Sequence, residues 1–242
     1  MNVELSERQI QILKTIIEEY IEIATPVGSE TLDKKYNLGI SPATIRNEMV
    51  KLTIKGFLKQ PHTSAGRTPS PKALRYYVNN LLKPKDLSIA EEVAMKEKVW
   101  GHRHELDKLL KEATTIVADK TKSLSLITTE EGDIYYAGIA HILELPEFYN
   151  IEVTRRLFFL LEEFEFWRKL FFEGQSDEGY HIIVGNELGA QMEPCGLVFT
   201  RFKTAKHGIG TIGVLGSNRL DYGYVIPMVK YIGNLISQLS NY

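Results

Sequence analysis

The chain has 242 residues, of which 43% are hydrophobic and 25% charged, so it is long enough to bury a core. Its net charge of −2 and pI near 6.3 exclude a chain that binds nucleic acid along its whole length. A single cysteine, Cys195, excludes an intramolecular disulfide, and we expect a cytoplasmic protein without membrane partners, because no signal segment or membrane-spanning apolar run is present.

Two helices are predicted at the start of the chain. Ser6 and Gln9 form a capping box that should begin the first helix at about Glu7, and Pro26 should stop it. A second, shorter helix should run from about Gly28 to Tyr36, followed by a turn rich in small and polar residues.

The third predicted helix carries the most informative pattern. Ser41 can cap it, Pro42 suits its first position, and Gly56 should end it. Its apolar residues recur at i, i+4 and i+7 on one side: Ile45, Met49 and Leu52. The opposite side mixes small, apolar and amide side chains with cations at its edges: Ala43, Asn47, Val50 and Ile54, flanked by Arg46 and Lys51.

This outer side suits the major groove of duplex DNA, where asparagine pairs with adenine, methyl groups contact thymine, and arginine or lysine meets guanine or phosphate. Between Ser41 and Lys83, eight cations stand against one anion, Glu48, which gives a local charge of +7. Phosphate binding requires such a concentration of positive charge. The alternative interpretation is an ordinary solvated surface.

A short hairpin is predicted directly after this helix. Phe57 to Gln60 alternates as a strand, Pro61 to Gly66 supplies turn residues, and Arg67 follows at the tip or return, where it could enter a minor groove or bind a phosphate. The order of helix, helix, turn, helix and hairpin is that of a winged helix-turn-helix. A fourth helix should open at Pro71, and residues 83–86 are the expected domain boundary.

A long linking helix is predicted between about Ser88 and Thr121. Ser88 and Glu91 form a capping box, and the second half of the helix carries an apolar stripe: Leu106, Leu109, Leu110, Ala113 and Val117. Two alternatives stay open for this stripe, because two turns of apolar spacing are too few to define a coiled coil. Either the stripe pairs with a second copy of the chain, or it docks on the following domain, or both.

The remaining sequence predicts a sheet with helices packed on it, an α+β arrangement. Strands are expected at 124–129, 134–137, 180–184, 196–202 and 209–215. Helices are expected at about 152–172 and 222–239, because both segments carry apolar residues at helical spacing.

Two features that look like chemical sites lack the context that such sites need. Gly208, Gly210 and Gly213 match the spacing of a dinucleotide fingerprint, but they lie in a β-rich run with no helix beginning among them. His102 and His104 are two residues apart on a charged helix and point in different directions. Because no serine or cysteine sits in a nucleophile motif, we expect no enzyme, no cofactor and no metal.

Several motifs match one known family. In the N-terminal part they are PVGS at 26–29, ISPATIRN at 40–47, and QPHTSAGR at 60–67 leading to RYYV at 75–78. In the C-terminal part they are LPEF at 145–148 and GIGTIGVLGSNRLDY at 208–222. On these residues the chain resembles the HrcA family of heat-inducible transcription repressors.

The resemblance implies a winged helix-turn-helix domain, which we place at residues 1–83, and a GAF-like regulatory domain, which we place at 123–242. The segment 84–122 between them is expected to be a linking helix that could also dimerise. It implies a repressor that binds an inverted-repeat operator before chaperone genes, supported by the GroE chaperonin until misfolded proteins occupy that chaperonin. The residues expected to bind DNA are Ser41, Ala43, Thr44, Arg46, Asn47, Lys51, His62 and Arg67.

The sequence departs from the family pattern in one respect. Family members are longer and carry a dimerising segment inserted in the GAF-like domain, whereas here the passage from Leu126 to Pro146 is short. A two-fold operator still calls for a homodimer, so we expect dimerisation through the linking helix, the GAF-like domains or both.

Two other functions are alternatives. A ligand-responsive regulator of another regulon would bind a small molecule in its GAF-like domain. A chaperone adaptor would have lost DNA binding, and the local charge of +7 would then have no explanation.

Overall fold

A computed structural model describes residues 4–173, 179–205 and 207–240 of the chain. The chain divides into two compact units, Met1–Leu82 and Lys83–Tyr242. Each unit is described by itself.

The first unit consists of four helices and one small hairpin. In chain order they are α1 (Glu7–Ile23), α2 (Ser29–Tyr36), α3 (Pro42–Ile54), β1 (Leu58–Lys59), β2 (Thr68–Pro69) and α4 (Pro71–Asn80). Helix α1 begins with the predicted capping box of Ser6 and Gln9. Gly56 follows α3 with φ of +77°, a left-handed conformation that glycine adopts without strain, and so the chain turns there into β1.

The core of the first unit lies where α1, α3 and α4 meet. Fully buried side chains come from all three helices: Leu13, Ile16 and Ile17 of α1, Ile45 and Leu52 of α3, and Ala73 and Leu74 of α4. The hairpin is tied to the segment before α2 by two backbone hydrogen bonds of 2.9 Å between Val27 and Arg67. Next to this contact there is no space for a side chain at Gly66, because a Cβ would lie 2.4 Å from the Val27 carbonyl oxygen.

The predicted long linking helix is wrong, because residues 84–122 contain two helices instead. They are α5 (Ile89–Trp100) and α6 (Leu106–Thr121), separated by a turn that starts at Gly101. Glycine is a poor helix former, and the Arg103 side chain bonds the Trp100 carbonyl oxygen that a continued helix would use. The break turns the apolar stripe of α6 inwards, so that Leu109, Leu110, Ala113 and Val117 are buried.

A five-stranded antiparallel sheet forms the centre of the second unit. Its strands are β3 (Leu124–Thr129), β4 (Ile134–Ala137), β5 (His181–Val184), β6 (Cys195–Thr204) and β7 (Gly208–Ser217), in the order β4-β3-β7-β6-β5. Each neighbouring pair is antiparallel. The glycines of the apparent dinucleotide fingerprint lie inside β7, as predicted, and open no helix.

Helices cover both faces of this sheet. One face packs against α6 and α10 (Tyr222–Leu239), where Gly233 lets α10 approach Thr200 and Ile212. The other face packs against α7 (Ile139–Leu143), a 3-10 helix (Pro146–Tyr149), α8 (Ile151–Glu162) and α9 (Phe164–Phe172). This mixed helix and sheet arrangement is α+β, as expected.

The single helix predicted at 152–172 is interrupted at Glu163, whose ψ of 82° is not helical. The interruption lets Trp167 enter the core, where it is fully buried and stacks on Phe171. Its indole nitrogen donates to the Leu160 carbonyl oxygen at 2.7 Å, so the buried N–H has a partner.

Helix α10 is continuous through Pro227, which has no N–H to give to the preceding turn. The carbonyl oxygen of Gly223 instead accepts from the backbone N–H of Lys85, at 2.9 Å. A segment near the start of the second unit therefore satisfies the group that the proline leaves open.

Candidate nucleic-acid interface

Helix α3 separates its buried side from an exposed side, as its spacing predicts. Ile45, Met49 and Leu52 are buried, whereas the exposed side carries Ala43, Arg46, Asn47, Val50, Lys51 and Ile54. Val50 and Ile54 are large apolar residues with 42% and 80% exposure. A solvated helix usually places charged residues at such positions, so this exposed side has the composition of a contact surface.

The start of α3 is fixed by two hydroxyl groups. Ser41 Oγ accepts from the backbone N–H of Thr44 at 3.2 Å, and the two side-chain hydroxyls lie 3.0 Å apart. Ser41 is exposed and Thr44 is half-buried. Both residues were expected to bind DNA, and the structure gives them a capping role that leaves the first turn of α3 open to solvent.

Arg46 and Asn47 project from the middle of this exposed side. Neither makes a side-chain hydrogen bond or ion pair within residues 4–173, 179–205 and 207–240. Arg46 lines a cleft of about 530 Å³, which is enclosed by α3, the hairpin loop and the start of α2. The wall of this cleft includes the N-terminus of α2, where the N-cap residue Gly28 provides no side-chain hydrogen bond.

Lys51 is paired within the unit. Its Nζ lies 2.7 Å from Glu48 Oε1, and Glu48 Oε2 accepts from Gln9 Nε2 at 2.9 Å. The hydrogen bonds from Lys51 and Gln9 lower the pKa of Glu48, which is 8% exposed and points towards α1. Lys51 itself remains more than half exposed, so it contributes to the surface although its charge is partly offset.

Two other cations of the basic segment hold backbone carbonyl groups. Lys55 Nζ donates to the Glu4 carbonyl oxygen and to Gln9 Oε1, both at 2.9 Å. Lys72 Nζ donates to the Lys55 carbonyl oxygen at 2.9 Å and lies over the Phe57 ring. The charge of +7 is therefore not all directed at a partner, because these two lysines also stabilise the end of α3 and its contact with α1.

The loop of the hairpin is held by its own residues. Gln60 Nε2 donates to the carbonyl oxygens of Thr63 and Ala65, and the Ala65 N–H donates to the His62 carbonyl oxygen at 2.9 Å. His62 is exposed near the tip, with Nδ1 3.2 Å from Ser64 Oγ. The loop thus presents His62 on a turn that is held by hydrogen bonds among its own residues.

Arg67 lies directly before the returning strand β2 and bridges to Val27, so it is not at the tip of the hairpin. Its Nε donates to Thr53 Oγ1 at 3.2 Å, and its Nη1 lies 3.4 Å from the carbonyl oxygens of Ala65 and Gly66. Burial lowers the pKa of this half-buried arginine. Arg67 joins the hairpin to α3, a contact that its position in the sequence did not reveal, because Thr53 is 14 residues away.

The one cysteine offers no reactive thiolate. Burial, with a smaller contribution from the negative charge of Glu147, raises the pKa of Cys195 to about 12. Within the described part of the chain, no group of three or more His, Cys, Asp or Glu residues could hold a metal ion. No helix in this part is long and apolar enough to cross a membrane.

The family model described as HrcA protein C terminal domain matches residues 44–226, which is about three quarters of the chain. The chain belongs to the HrcA family. The match includes most of α3 and all five strands of the sheet.

Relatives in this family carry a functional name. The chain is 27% identical to "Heat-inducible transcription repressor HrcA" of Desulforudis audaxviator (strain MP104C), over 97% of this chain and 98% of that protein. It is also 27% identical to the HrcA repressor of Carboxydothermus hydrogenoformans (strain ATCC BAA-161 / DSM 6008 / Z-2901), over 97% and 98% respectively. These relatives are named as transcription repressors, not as enzymes.

A solved structure shares the fold. A crystal structure described as that of a hypothetical protein matches with a TM-score of 0.78 and 20% identity, over 98% of this chain and 99% of that chain.

The relatives are longer than this chain within the matched region. The comparison with the Desulforudis protein extends over 337 aligned positions, whereas this chain has 242 residues, so at least 95 positions have no counterpart here. HrcA relatives therefore carry internal residues that this chain lacks.

Proposed function

We propose that this chain is a heat-inducible transcription repressor whose first unit is a winged helix-turn-helix that binds an inverted-repeat operator upstream of chaperone genes. Membership of the HrcA family and the names of the relatives support this proposal. The element order of the first unit supports it too, because α2 and α3 are joined by a short turn and followed by a hairpin.

The exposed side of α3 gives the proposal its strongest support. It combines Asn47 and Arg46, which make no side-chain hydrogen bond or ion pair among the described residues, with Ala43 and Val50. Asparagine can give two hydrogen bonds to adenine, arginine can give two to guanine, and the apolar side chains can contact thymine methyl groups. In this proposal α3 lies in the major groove and these four residues meet base edges.

The residues around α3 would position the protein on the phosphate backbone. Ser41 and Thr44 lie at the first turn of α3, where free backbone N–H groups can also bind phosphate. Lys51 stands at one edge of the helix, and His62 stands at the tip of the hairpin loop. Arg67 would act by holding the hairpin against α3, with its guanidinium beside the cleft that Arg46 lines.

The second unit would be the regulatory part. We infer a GAF-like domain from its antiparallel sheet with helices on both faces, together with the family membership. A two-fold operator calls for two copies of the chain, so the active form would be a homodimer. The last part of the proposal rests on the resemblance to the family. In it, the GroE chaperonin supports the repressor, and occupation of GroE by misfolded proteins relieves repression.

Selection from a random pool of duplexes by the full chain tests the proposal. We expect inverted repeats to be enriched, and the affinity for the selected duplex to fall by about 10³-fold or more between 50 and 200 mM salt if each dimer neutralises six or more phosphates. Enrichment of no common sequence, together with affinity that does not depend on salt, would refute DNA recognition. That result would favour the adaptor alternative.

A further inference from the structure

Helix α8 in the second unit exposes large apolar side chains along one side. Ile151 is 70% exposed, Phe159 54% and Phe158 36%, although the opposite side of α8 is buried in the core. Tyr149, just before the helix, is also 71% exposed. These side chains recur along one side of the helix at intervals of about one or two turns, so they form a stripe.

This stripe has the composition of a protein interface. Phenylalanine, tyrosine and arginine are the residues that interfaces concentrate, and α8 adds Arg155 and Arg156 to its exposed aromatic residues. Arg156 lies over the Phe159 ring, 5.6 Å from its centroid, and both line a depression of about 420 Å³ together with Arg155 and Gln191. An exposed apolar surface of this kind marks a contact site more often than a solvated face.

The charges on the stripe are arranged so that it can bind a copy of itself. Arg155 and Glu162 are both exposed and stand seven residues apart, with Phe158 and Phe159 midway between them. Two turns of helix separate the opposite charges, and both point to the same side. If two such helices pack antiparallel about a two-fold axis at the phenylalanines, each arginine lies level with a glutamate of the other helix.

We propose that α8 is a homodimer interface in which Arg155 of each copy faces Glu162 of the other, and Phe158 and Phe159 pack across the two-fold axis. The occupant is therefore a second copy of this chain. The inference rests on the proposed function only in that a two-fold operator needs a dimer. It assigns the contact to α8 and not to α5 or α6.

Arg155 now pairs with Glu152 on its own helix at 2.7 Å, and its side chain is 74% exposed. An exposed pair of this kind is weak, so the arginine can exchange it for the partner's Glu162 at little cost. The aromatic residues would supply most of the binding energy, and the charges would fix the antiparallel direction.

Charge reversal gives a direct test by analytical ultracentrifugation of the full chain. Arg155→Glu and Glu162→Arg should each raise the dimer dissociation constant at least tenfold, because each change places like charges together twice. An equimolar mixture of the two variants should dimerise as tightly as the wild type, because the mixed dimer again places a glutamate opposite an arginine at both contacts. Unchanged dimerisation of the single variants, or a mixture that stays monomeric, would overturn the proposal.

A second comparison separates this surface from an exposed apolar residue elsewhere in the unit. Phe159→Glu should abolish the dimer, whereas Ile89→Glu on α5, at a residue that is 80% exposed, should leave it intact. Unchanged far-ultraviolet circular dichroism confirms that both variants fold. A dimer lost with Ile89→Glu and kept with Phe159→Glu, or a wild type that is monomeric at 100 μM, would also overturn it.

Binding to a half-site duplex distinguishes failure of this inference from failure of the proposed function. The charge-reversed monomers should bind half of a selected inverted repeat as the wild type does, and should lose only the added affinity for the complete repeat. If the dimer follows the charge pattern but no duplex is bound, the proposed function fails and the α8 interface stands.

Discussion

Gln9 Nε2 of α1 donates a hydrogen bond of 2.9 Å to Glu48 Oε2 of α3, and both side chains are buried. The same carboxylate accepts from Lys51, while Gln9 Oε1 accepts from Lys55, so one polar chain joins α1 to two turns of α3. Asn47, next to Glu48, points the other way, into solvent. The buried contact therefore fixes the rotation of α3 and hence the side that it presents.

Replacement of Gln9 by Met should destabilise the first unit. The change keeps the length of the side chain but removes the donor to Glu48 and the acceptor for Lys55 and for the Ser6 N–H of the capping box, so a buried carboxylate and a helix N-terminus each lose a partner. We expect the free energy of unfolding to fall by about 1–3 kcal/mol. Gln11→Met is the matched control, because Gln11 is exposed on the same helix. Equal effects of both changes in urea denaturation would contradict a role for the contact.

The sequence predicted some helices and strands at their observed bounds. The terminal helix Tyr222–Leu239 and the strand Leu124–Thr129 were placed at their observed bounds, because apolar spacing and turn residues define them. The breaks at Gly101 and Glu163 were both missed. The first has a local signal, because glycine is a poor helix former. At the second, helical spacing continues through the break, which accompanies the burial of Trp167 in the core.

The candidate site was predictable to a similar degree. The exposed and buried sides of α3 follow from its spacing, whereas the pairing of Lys51 with Glu48, three residues apart, was not predicted. The role of Arg67 was not predicted either, because its partners Thr53 and Val27 are brought to it only by folding of the hairpin.

Asn47→Ala should reduce discrimination between duplexes more than Lys59→Ala does. A side chain that meets a base edge contributes about 1–3 kcal/mol against a wrong base pair, whereas a cation near phosphate affects all sequences alike. We therefore expect Asn47→Ala to reduce the ratio of the affinities for selected and scrambled duplexes by about 10- to 100-fold. Lys59→Ala should weaken both and lower the salt dependence by about one ion per chain. The reverse pattern in titrations would show that another face of the unit reads the sequence.

Gly66→Ala should displace the hairpin. An added Cβ would lie 2.4 Å from the Val27 carbonyl oxygen, and the two backbone hydrogen bonds between Val27 and Arg67 leave it no space. We expect a loss of roughly 3 kcal/mol or more in unfolding free energy and a loss of duplex binding, because Arg67 and the loop move together. Gly28→Ala is the control, since its nearest neighbour to an added Cβ is 3.8 Å away, and thermal denaturation should show only a small effect.

Arg219→Met should destabilise the second unit, because the largely buried carboxylate of Glu147 would lose its charged partner. Arg219 Nε and Nη2 lie 2.6 and 3.0 Å from the two oxygens of Glu147, and both side chains are largely buried. Removal of one partner from such a pair costs about 3–5 kcal/mol. Lys85→Met breaks an exposed pair with Asp221 in the same unit and should cost under about 1 kcal/mol. A cost for Arg219→Met as small as for Lys85→Met, measured by urea denaturation, would mean that water replaces the arginine.

The contact between α1 and α2 should weaken in acid through Glu19. Lys35 Nζ and Tyr36 Oη lie 2.7 and 2.6 Å from Glu19 Oε2, and the carboxylate is 3% exposed. Burial alone would raise the pKa of Glu19 above its ordinary value of 4.5, but the hydrogen bonds from Lys35 and Tyr36 outweigh burial and the pKa is lowered. A carboxyl group with a lower pKa in the folded state stabilises that state above the ordinary pKa.

This stabilisation should be complete above about pH 5 and should disappear as the pH falls through the lowered pKa. Glu19→Gln should therefore be less stable than the wild type at pH 7, and the two should converge towards pH 3. Hydrogen exchange of the α1 and α2 amides in both proteins measures the difference, with Glu18→Gln on the exposed side of α1 as the control. A difference that stays constant from pH 7 to pH 3 would show that Glu19 acts through packing and not through its charge.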